Sequence, residues 1–324
     1  MKITFLIIII ILVIFISFYG GYYFINPSNQ GKEILDKYNI NFPAVIAHRG
    51  ASFIAPELTK PAFKKSLNLG SDYIEVDIHK TKDGELIALH DNKLKRTSNI
   101  EEIYPNRKND HVSTFTYEEL LKLDFGSWFN RKYPKRADES YKNINIVSLE
   151  NLLDIIDNHQ NSSGIILDLK DTNRYPNLTE AIFDLLIKKE WYDIEKNTDD
   201  KNYFSKIMIF STNLEILKEF KNKMPDIPRV LLLTNNKMGK RKWKNWLDLA
   251  EGFVNGIGIK GFISWPWNIA MAHEKGMFVF PYVINKNWQL RIMSHLNSNG
   301  YITDRPELVL EFLDRIYDFG AELE

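Results

Sequence analysis

The feature that most constrains the fold is a regular alternation of short β-branched segments with amphipathic segments, which begins at Ala44 and continues to the C-terminus. Alternating strands and helices imply parallel strand pairing with both faces of the sheet covered. Eight strand–helix units fit into this length, which is the usual size of a (β/α)8 barrel. We therefore predict an α/β fold, a (β/α)8 TIM barrel over residues 44–324, with a doubly wound open sheet as the alternative.

The predicted strands share a short run of Val, Ile, Leu or Phe with few charges. They are AVIAH, DYIEVDI, GIILDLK, KIMIFS, RVLLL, GIGIKGFIS, MFVFPYVI and GYITD. A long irregular segment, about 79–146, separates the second strand from its helix, and we predict a small insertion there. Within it, Asp83-Gly84 is a hairpin turn signal. The segment ELIALH should therefore fold back and bring His90 near the end of the second strand.

The N-terminus differs from the rest, because residues 3–25 contain no charged side chain. About 20 residues cross the hydrocarbon core of a bilayer, so we predict an N-terminal transmembrane anchor over residues 1–25. A cleaved signal peptide is the alternative, but its apolar region is usually shorter and no small-residue cleavage site follows. We interpret the polar segment 26–43 as a linker. Lys2 before the span favours a single-pass membrane protein whose body is extracytoplasmic.

Charge and cysteine content exclude several kinds of site. The chain has 42 basic and 42 acidic residues, and we expect no basic block, which argues against nucleic acid as a partner. The chain contains no cysteine, so disulfides and thiolate metal sites are excluded. No obligate protein partner is evident from the sequence.

Polar side chains stand where the first two predicted strands end. His48 and Arg49 close the first strand, while Glu75 and Asp77 lie two residues apart in the second. Because side chains alternate along a strand, both carboxylates should point to the same side of the sheet. The C-terminal ends of the strands form the functional face of a TIM barrel. We expect these groups to meet there.

The third predicted strand repeats the pattern with Asp168 and Lys170 on one face. Three converging carboxylates would repel one another without a cation, and ligation by oxygen alone suits Mg²⁺ or Ca²⁺. A buried salt bridge between Asp168 and Lys170 is the structural alternative. Two histidines, His48 and His90, can take and give protons beside this cation. Such a set of groups is suited to an anionic phosphodiester.

At this point the sequence resembles the glycerophosphodiester phosphodiesterase family. The resemblance runs through AHRGAS, APE, SDYIEVDIHKTKDGELIALHDNKLKRTSN, FTYEELLKLDFGSWF, ILDLK, FSTN and NGYITDRPEL. It implies a TIM barrel with an insertion after the second strand. It also implies roles for these residues: His48 and His90 as the acid/base pair, Arg49 and Lys170 on the phosphate, and Glu75 and Asp77 as metal ligands. The implied products are glycerol phosphate and an alcohol, formed after attack by a hydroxyl of the substrate's own glycerol.

The chain departs from the family pattern at three places. Asp168 replaces a usual glutamate, PELT replaces PENT, and YVIN replaces WTVN. Aspartate followed by lysine is similar to sphingomyelinase D-type phospholipases, so a phospholipase D-like activity on membrane lipids remains an alternative, as does an inactive binding barrel. We expect the edge of the site to include Glu57, Tyr282, Asn285, Trp265 and Trp267.

Overall fold

The computed structural model describes residues 28–161, 163–193, 206–261 and 264–315, together with residues 5, 7–10, 12 and 13. Eight parallel strands close into a barrel, and a ninth, β3, pairs antiparallel with β2 at its rim. The strands are β1 (Ala44–His48), β2 (Tyr73–Lys80), β3 (Leu86–Ala88), β4 (Gly164–Leu169), β5 (Ile207–Ser211), β6 (Arg229–Leu233), β7 (Gly256–Lys260), β8 (Phe278–Tyr282) and β9 (Gly300–Thr303). Pairing of β1 with both β2 and β9 closes the ring. The predicted barrel is confirmed.

Side-chain alternation along the strands creates two separate apolar layers. Ile46, Ile166 and Phe280 belong to the cluster that fills the barrel. Their neighbours along the chain, such as Val45 and Leu167, belong to a larger cluster between the strands and the surrounding helices. Both faces of every parallel strand are thus buried, which explains why these strands read as nearly continuous apolar runs.

Amphipathic helices surround the barrel and pack their apolar faces on the outer layer. Ser148 accepts a hydrogen bond from the backbone N–H of Asn151 at the start of one such helix, and Leu152 and Ile156 are buried on its inner face. In the described part of the chain, the helices that follow the strands are Lys60–Asn68, Leu149–Asp157, Leu178–Lys188, Leu214–Lys223, Asn235–Lys240, Trp243–Ala250, Pro266–Glu274, Asn287–His295 and Pro306–Phe312.

The segment between β2 and the helix Leu149–Asp157 begins with the expected hairpin. The tight turn at Gly84, where φ is 98°, leads into β3. Beyond β3 the chain forms short helices around two small apolar clusters, one of which also includes Ala55 and Ala62 from the segment before β2. These helices are Ile100–Ile103, Tyr117–Leu120 and Ser127–Lys132. Because the hairpin folds back on β2, His90 comes to the mouth of the barrel.

The segment that we interpreted as a linker, 26–43, is in part built into the barrel. Residues Gly31–Asp36 form a helix whose Leu35 is fully buried against the apolar interior of the barrel. Asn299, in the turn before β9, donates a hydrogen bond to the carbonyl of Gly31 at 2.7 Å. Nδ1 of His273 and Oγ of Ser28 form a second hydrogen bond, of 2.9 Å. This helix therefore closes the barrel at the end opposite its mouth. Ile34, Leu35 and Ile40 supply the apolar face that packs against the barrel interior.

Most of the predicted anchor, residues 1–25, lies outside the described residues. Within the described part of the chain, no helix has the length and apolar character needed to cross a membrane.

Candidate active site

Three buried carboxylates converge at the mouth of the barrel. Glu75, Asp77 and Asp168 each offer an oxygen, and these oxygens lie within 4.8 Å of one another. The strand register explains their proximity, because β2 lies between β1 and β4, and Asp77 stands directly opposite Asp168. The same register places His48 opposite Glu75. The structure thus brings together the acidic residues that the sequence singled out.

Two cations lie against this carboxylate cluster. Arg49 contacts Asp77 through Nε at 3.1 Å, and its backbone N–H donates to Glu75 at 2.8 Å. The φ of Arg49 is 59°, in the left-handed region, so the strand ends in a sharp turn at this point. Lys170 contacts Asp77 at 2.7 Å and also pairs with Asp168. Both cations therefore border the position where an anionic substrate would meet the carboxylates.

The three carboxylates differ in their tendency to ionise. Burial, followed by the neighbouring charge of Asp77, raises the pKa of Glu75 to about 8. Burial also disfavours the ionised form of Asp77, but Lys170 and Arg49 outweigh it and hold the pKa of Asp77 below its usual range. Burial dominates at Asp168, and the pKa of that carboxyl is raised despite Lys170. Three carboxylates thus share two cations.

The cluster fits a divalent cation by its donor chemistry and by its unmet polar contacts. Its donors are carboxylate oxygens, which hard cations such as Mg²⁺ and Ca²⁺ prefer. The Oδ1 atom of Asp168 is buried without a hydrogen-bond partner in the described structure, a costly arrangement for a carboxylate oxygen. A cation at this place would satisfy that oxygen and lower the pKa of Glu75.

His48 is held by a carboxylate that the sequence interpretation did not include. Its Nδ1 lies 2.6 Å from Oδ1 of Asp304. Burial opposes ionisation of Asp304, but the hydrogen bond to His48 lowers the pKa of Asp304 to about 2. The ionised carboxylate has no hydrogen to donate and can only accept a hydrogen bond. Nδ1 therefore carries the hydrogen, and Nε2 is left for the substrate. Burial and Arg49 disfavour the imidazolium, yet Glu75 and Asp304 outweigh them and raise the pKa of His48.

His90 has an equivalent partner in its neighbour along the chain. Its Nδ1 lies 2.6 Å from Oδ1 of Asp91. Arg96 holds Asp91 through Nε at 2.5 Å and also forms two hydrogen bonds, of 2.8 and 2.7 Å, with Glu57. Glu57 in turn accepts a hydrogen bond of 2.8 Å from Arg49. A continuous network of charged groups thus connects the second histidine with the first strand's arginine.

A cavity of about 550 Å³ gives access to these groups. One wall carries most of the charged groups, and the other is formed by apolar and hydroxyl-bearing side chains together with Lys260. Among the residues that line it are His48, Arg49, Glu75, His90, Asp168, Lys170, Phe210, Thr212, Leu232, Thr234, Lys260, Tyr282 and Ile302. Both predicted histidines therefore face the same space as the carboxylate cluster.

The predicted edge residues have different positions. Tyr282 lines the cavity, whereas Asn285 lies behind it and donates to Asp304 at 2.6 Å. Glu57 belongs to the network described above. Trp265 and Trp267 stack on each other with ring centroids 5.2 Å apart, outside the residues that line the cavity, and half of the Trp267 surface is exposed.

The residues that the sequence interpretation missed are those that position the histidines. Asp304 ends the last predicted strand, and β9 pairs with β1 in a closed barrel, so its position beside His48 could have been deduced. Asp91 and Arg96 carry no comparable signal, because they lie in irregular chain whose path follows only from the tertiary structure.

Comparisons with known proteins identify the family of this chain. The model of the glycerophosphoryl diester phosphodiesterase family matches residues 48–308, a range that begins at the last residue of β1 and contains every other strand of the barrel. This chain belongs to that family.

Curated members of the glycerophosphoryl diester phosphodiesterase family match nearly the whole barrel. A glycerophosphodiester phosphodiesterase of Bacillus subtilis is 29% identical over 263 residues, which cover 81% of this chain and 84% of the relative. One from Caldanaerobacter subterraneus is 28% identical over 277 residues, covering 83% of this chain and 97% of the relative. Like these relatives, the chain is an enzyme of the phosphoric diester hydrolase class.

Solved structures of the family show the same fold. A phosphodiesterase from Oleispira antarctica, solved with the product sn-glycerol-3-phosphate, aligns with a TM-score of 0.67 at 21% identity. The alignment covers 84% of this chain and 97% of that structure. A family member from Galdieria sulphuraria gives a TM-score of 0.66 at 22% identity, covering 85% and 99% of the two chains.

Proposed function

We propose that this protein is a metal-dependent phosphodiesterase that hydrolyses glycerophosphodiesters to glycerol phosphate and an alcohol, with His48 and His90 as the acid/base pair. The observation that carries the proposal is the carboxylate cluster, because it lies between two cations and in the same cavity as both histidines. Membership of the family supports the reaction class.

The charged residues divide into two sets in this proposal. Glu75, Asp77 and Asp168 hold the divalent cation, Mg²⁺ or Ca²⁺, which when bound neutralises the phosphate oxygens and makes phosphorus easier to attack. Arg49 and Lys170 bind the same phosphate from the protein side. Arg49 is suited to this role because its guanidinium is already fixed by carboxylates, so little side-chain freedom is lost on binding.

The two histidines exchange protons with the substrate. We assign His48 as the general base that removes the proton from the attacking glycerol hydroxyl, and His90 as the general acid that protonates the departing alcohol, which leaves a cyclic glycerol phosphate. Water then opens this cyclic diester: His90 takes a proton from the water, and His48 returns its proton to the glycerol oxygen, which gives glycerol phosphate. Each imidazole is bound through Nδ1 to a carboxylate, which leaves Nε2 for the reaction and stabilises the imidazolium when it forms. The reverse assignment leads to the same products, since both rings line one cavity.

We also propose that the apolar residues 3–25 anchor the enzyme in the cell membrane, with the barrel on the extracytoplasmic side. The support is the length of the uncharged segment, which suffices to span a bilayer. Recovery of the full chain in the membrane fraction after a carbonate wash is the expected result. Release into the supernatant would contradict the anchor.

The reaction is tested with the full chain in neutral detergent, using glycerophosphocholine with Mg²⁺ or Ca²⁺ and with a chelator. We expect glycerol phosphate and free choline, and no turnover after chelation. H48A should lower kcat at least about 10²-fold, the usual contribution of a general acid or base. H159A is the matched control, because His159 binds Asn68 at the far end of the barrel. If only lysophosphatidylcholine yields choline, the proposed substrate class is wrong.

A further inference from the structure

A second groove opens beside the catalytic cavity, along the ends of strands β4, β5 and β6. It has a volume of about 770 Å³, and Thr212 lines both the groove and the cavity, so the two spaces adjoin at this residue. Its walls carry the amides of Asn173 and Asn213 together with two basic residues, Arg174 and Lys237. We call it the β4–β6 groove. A substrate bound at the carboxylate cluster can extend into it.

The two basic residues stand on different walls of this groove. Arg174 follows β4 and is exposed, and within the described structure its guanidinium has no hydrogen-bond or ion-pair partner. Lys237 follows β6 and lies over the ring of Trp246, with Nζ 5.2 Å from the ring centre. The acidic group of the groove, Asp171, is already bound by Nε2 of His111 at 2.9 Å. The groove is therefore suited to an anion.

The chain that forms this side of the mouth is strongly segregated by charge. From Arg229 to Thr303 the acidic residues are Asp248, Glu251 and Glu274. Two of these pair with Lys275, which lies just beyond a helix C-terminus and thus at the closed end of the barrel. The chain after β6 instead carries several basic residues in the segment KMGKRKWK at positions 237–244, of which Lys237 lines the groove. Our expectation that the chain has no basic block was wrong, because the balanced total conceals this one.

We propose that the β4–β6 groove binds a phosphorylated polyol, so that the preferred substrate is a glycerophosphodiester whose alcohol carries at least one further phosphate. This inference rests on the proposed function. Asn213 donates hydrogen bonds to Thr172 and Asn173 and so fixes this wall of the groove, while the amide nitrogen of Asn173 is suited to donate to a hydroxyl group of a polyol. A guanidinium binds phosphate with two parallel hydrogen bonds. The neighbouring basic segment raises the local concentration of polyanionic substrates.

The test compares two substrates with the same reacting bond, glycerophosphoinositol and glycerophosphoinositol 4,5-bisphosphate, on the full chain in neutral detergent. We expect kcat/KM to be about tenfold higher for the bisphosphate, as two partly exposed charge pairs can provide. The preference should shrink in 0.5 M salt, which screens exposed charges. R174Q/K237Q should lose the preference and keep its activity on glycerophosphoinositol.

The matched control is R131Q/K188Q, which removes the same two charges from exposed positions outside the groove. It should keep the full preference for the bisphosphate. Equal kcat/KM for both substrates in the unaltered protein would overturn the inference while leaving the proposed function intact. No turnover of either substrate with any divalent ion would instead overturn the proposed function. Loss of binding to phosphatidylglycerol vesicles in R174Q/K237Q, without a substrate preference in the unaltered protein, would assign the basic surface to a bilayer and overturn the inference.

Discussion

At the scale of single residues, the catalytic cavity depends on charges that hold one another in place. Asp304 and Asp91 fix the two imidazoles, and Glu57 fixes the guanidinium of Arg49. None of these carboxylates belongs to the metal cluster. Each binds a group that touches the substrate in the proposed reaction, and such outer partners usually affect activity 10- to about 100-fold.

The raised pKa of Glu75 predicts how cation binding depends on pH. A carboxylate must lose its proton to ligate a metal ion, and burial beside Asp77 raises the pKa of Glu75 to about 8. The affinity for Mg²⁺ or Ca²⁺ should therefore weaken about tenfold for each pH unit below that value, because protons compete for one ligand. Calorimetry at pH 7 in two buffers of different ionisation enthalpy should show release of nearly one proton. An affinity that stays constant between pH 6 and pH 8 would contradict this assignment.

The network around Arg96 gives a second prediction. R96Q should lower kcat about tenfold, because Asp91 and Glu57 lose the group that fixes them. R107Q is a matched control, since Arg107 pairs with Asp110 and Glu119 at a similar side-chain exposure, 31% against 35% for Arg96. We expect R107Q to lower the thermal stability of the insertion and leave kcat unchanged. Equal losses of kcat in the two variants would contradict a positioning role for Arg96 and show that it only stabilises the fold.

At the scale of elements, the turn after β1 shows how closely the catalytic loop packs on its helix. Gly50 has φ of 78°, and a Cβ added there would lie 2.8 Å from the backbone of Ala62. Gly84 also has positive φ, 98°, but a Cβ there would meet no atom within 4 Å. A side chain at Gly84 would therefore meet backbone strain alone, whereas a side chain at Gly50 would meet backbone strain and steric overlap together.

This difference predicts the stability of two variants. G84A should cost about 1–2 kcal/mol, the usual penalty of a side chain in the left-handed region. G50A should cost about 1–3 kcal/mol more, because the clash with Ala62 is added to the same penalty. Urea denaturation of both variants measures the difference. Similar midpoints would show that the loop after β1 yields without cost.

In the molecule as a whole, the apolar packing that stabilises the closed end of the barrel and the charged groups of the site lie at opposite ends. Its closed end is sealed by the helix Gly31–Asp36, whereas the charged groups of the site all stand at the mouth. L35A should destabilise the protein by about 2–5 kcal/mol, since Leu35 is fully buried in the barrel interior. Its kcat/KM at a temperature where the variant is folded should equal that of the unaltered chain. L249A, at a partly exposed position, should change neither quantity.

Most of the barrel and its central site could be predicted from the sequence because both follow from strand periodicity. Alternation placed Glu75 and Asp77 on one face, and parallel register brought Asp168 beside them. The helix Gly31–Asp36 was missed because a single turn and a half of mixed polarity resembles a linker until its apolar side finds the barrel. The network through Arg96 was missed for a related reason, since its contacts join positions 39 residues apart.

The closed end of the barrel also determines which way the enzyme faces. Ser28 and Gly31 are bound to the end opposite the mouth, so the chain enters the fold from behind its catalytic cavity. A lipid bilayer that held the N-terminal segment, as we propose, would therefore be tethered to the end of the barrel away from the cavity. Such a tether favours substrates that reach the cavity by three-dimensional diffusion from the surrounding fluid over lipids that stay within the plane of the bilayer.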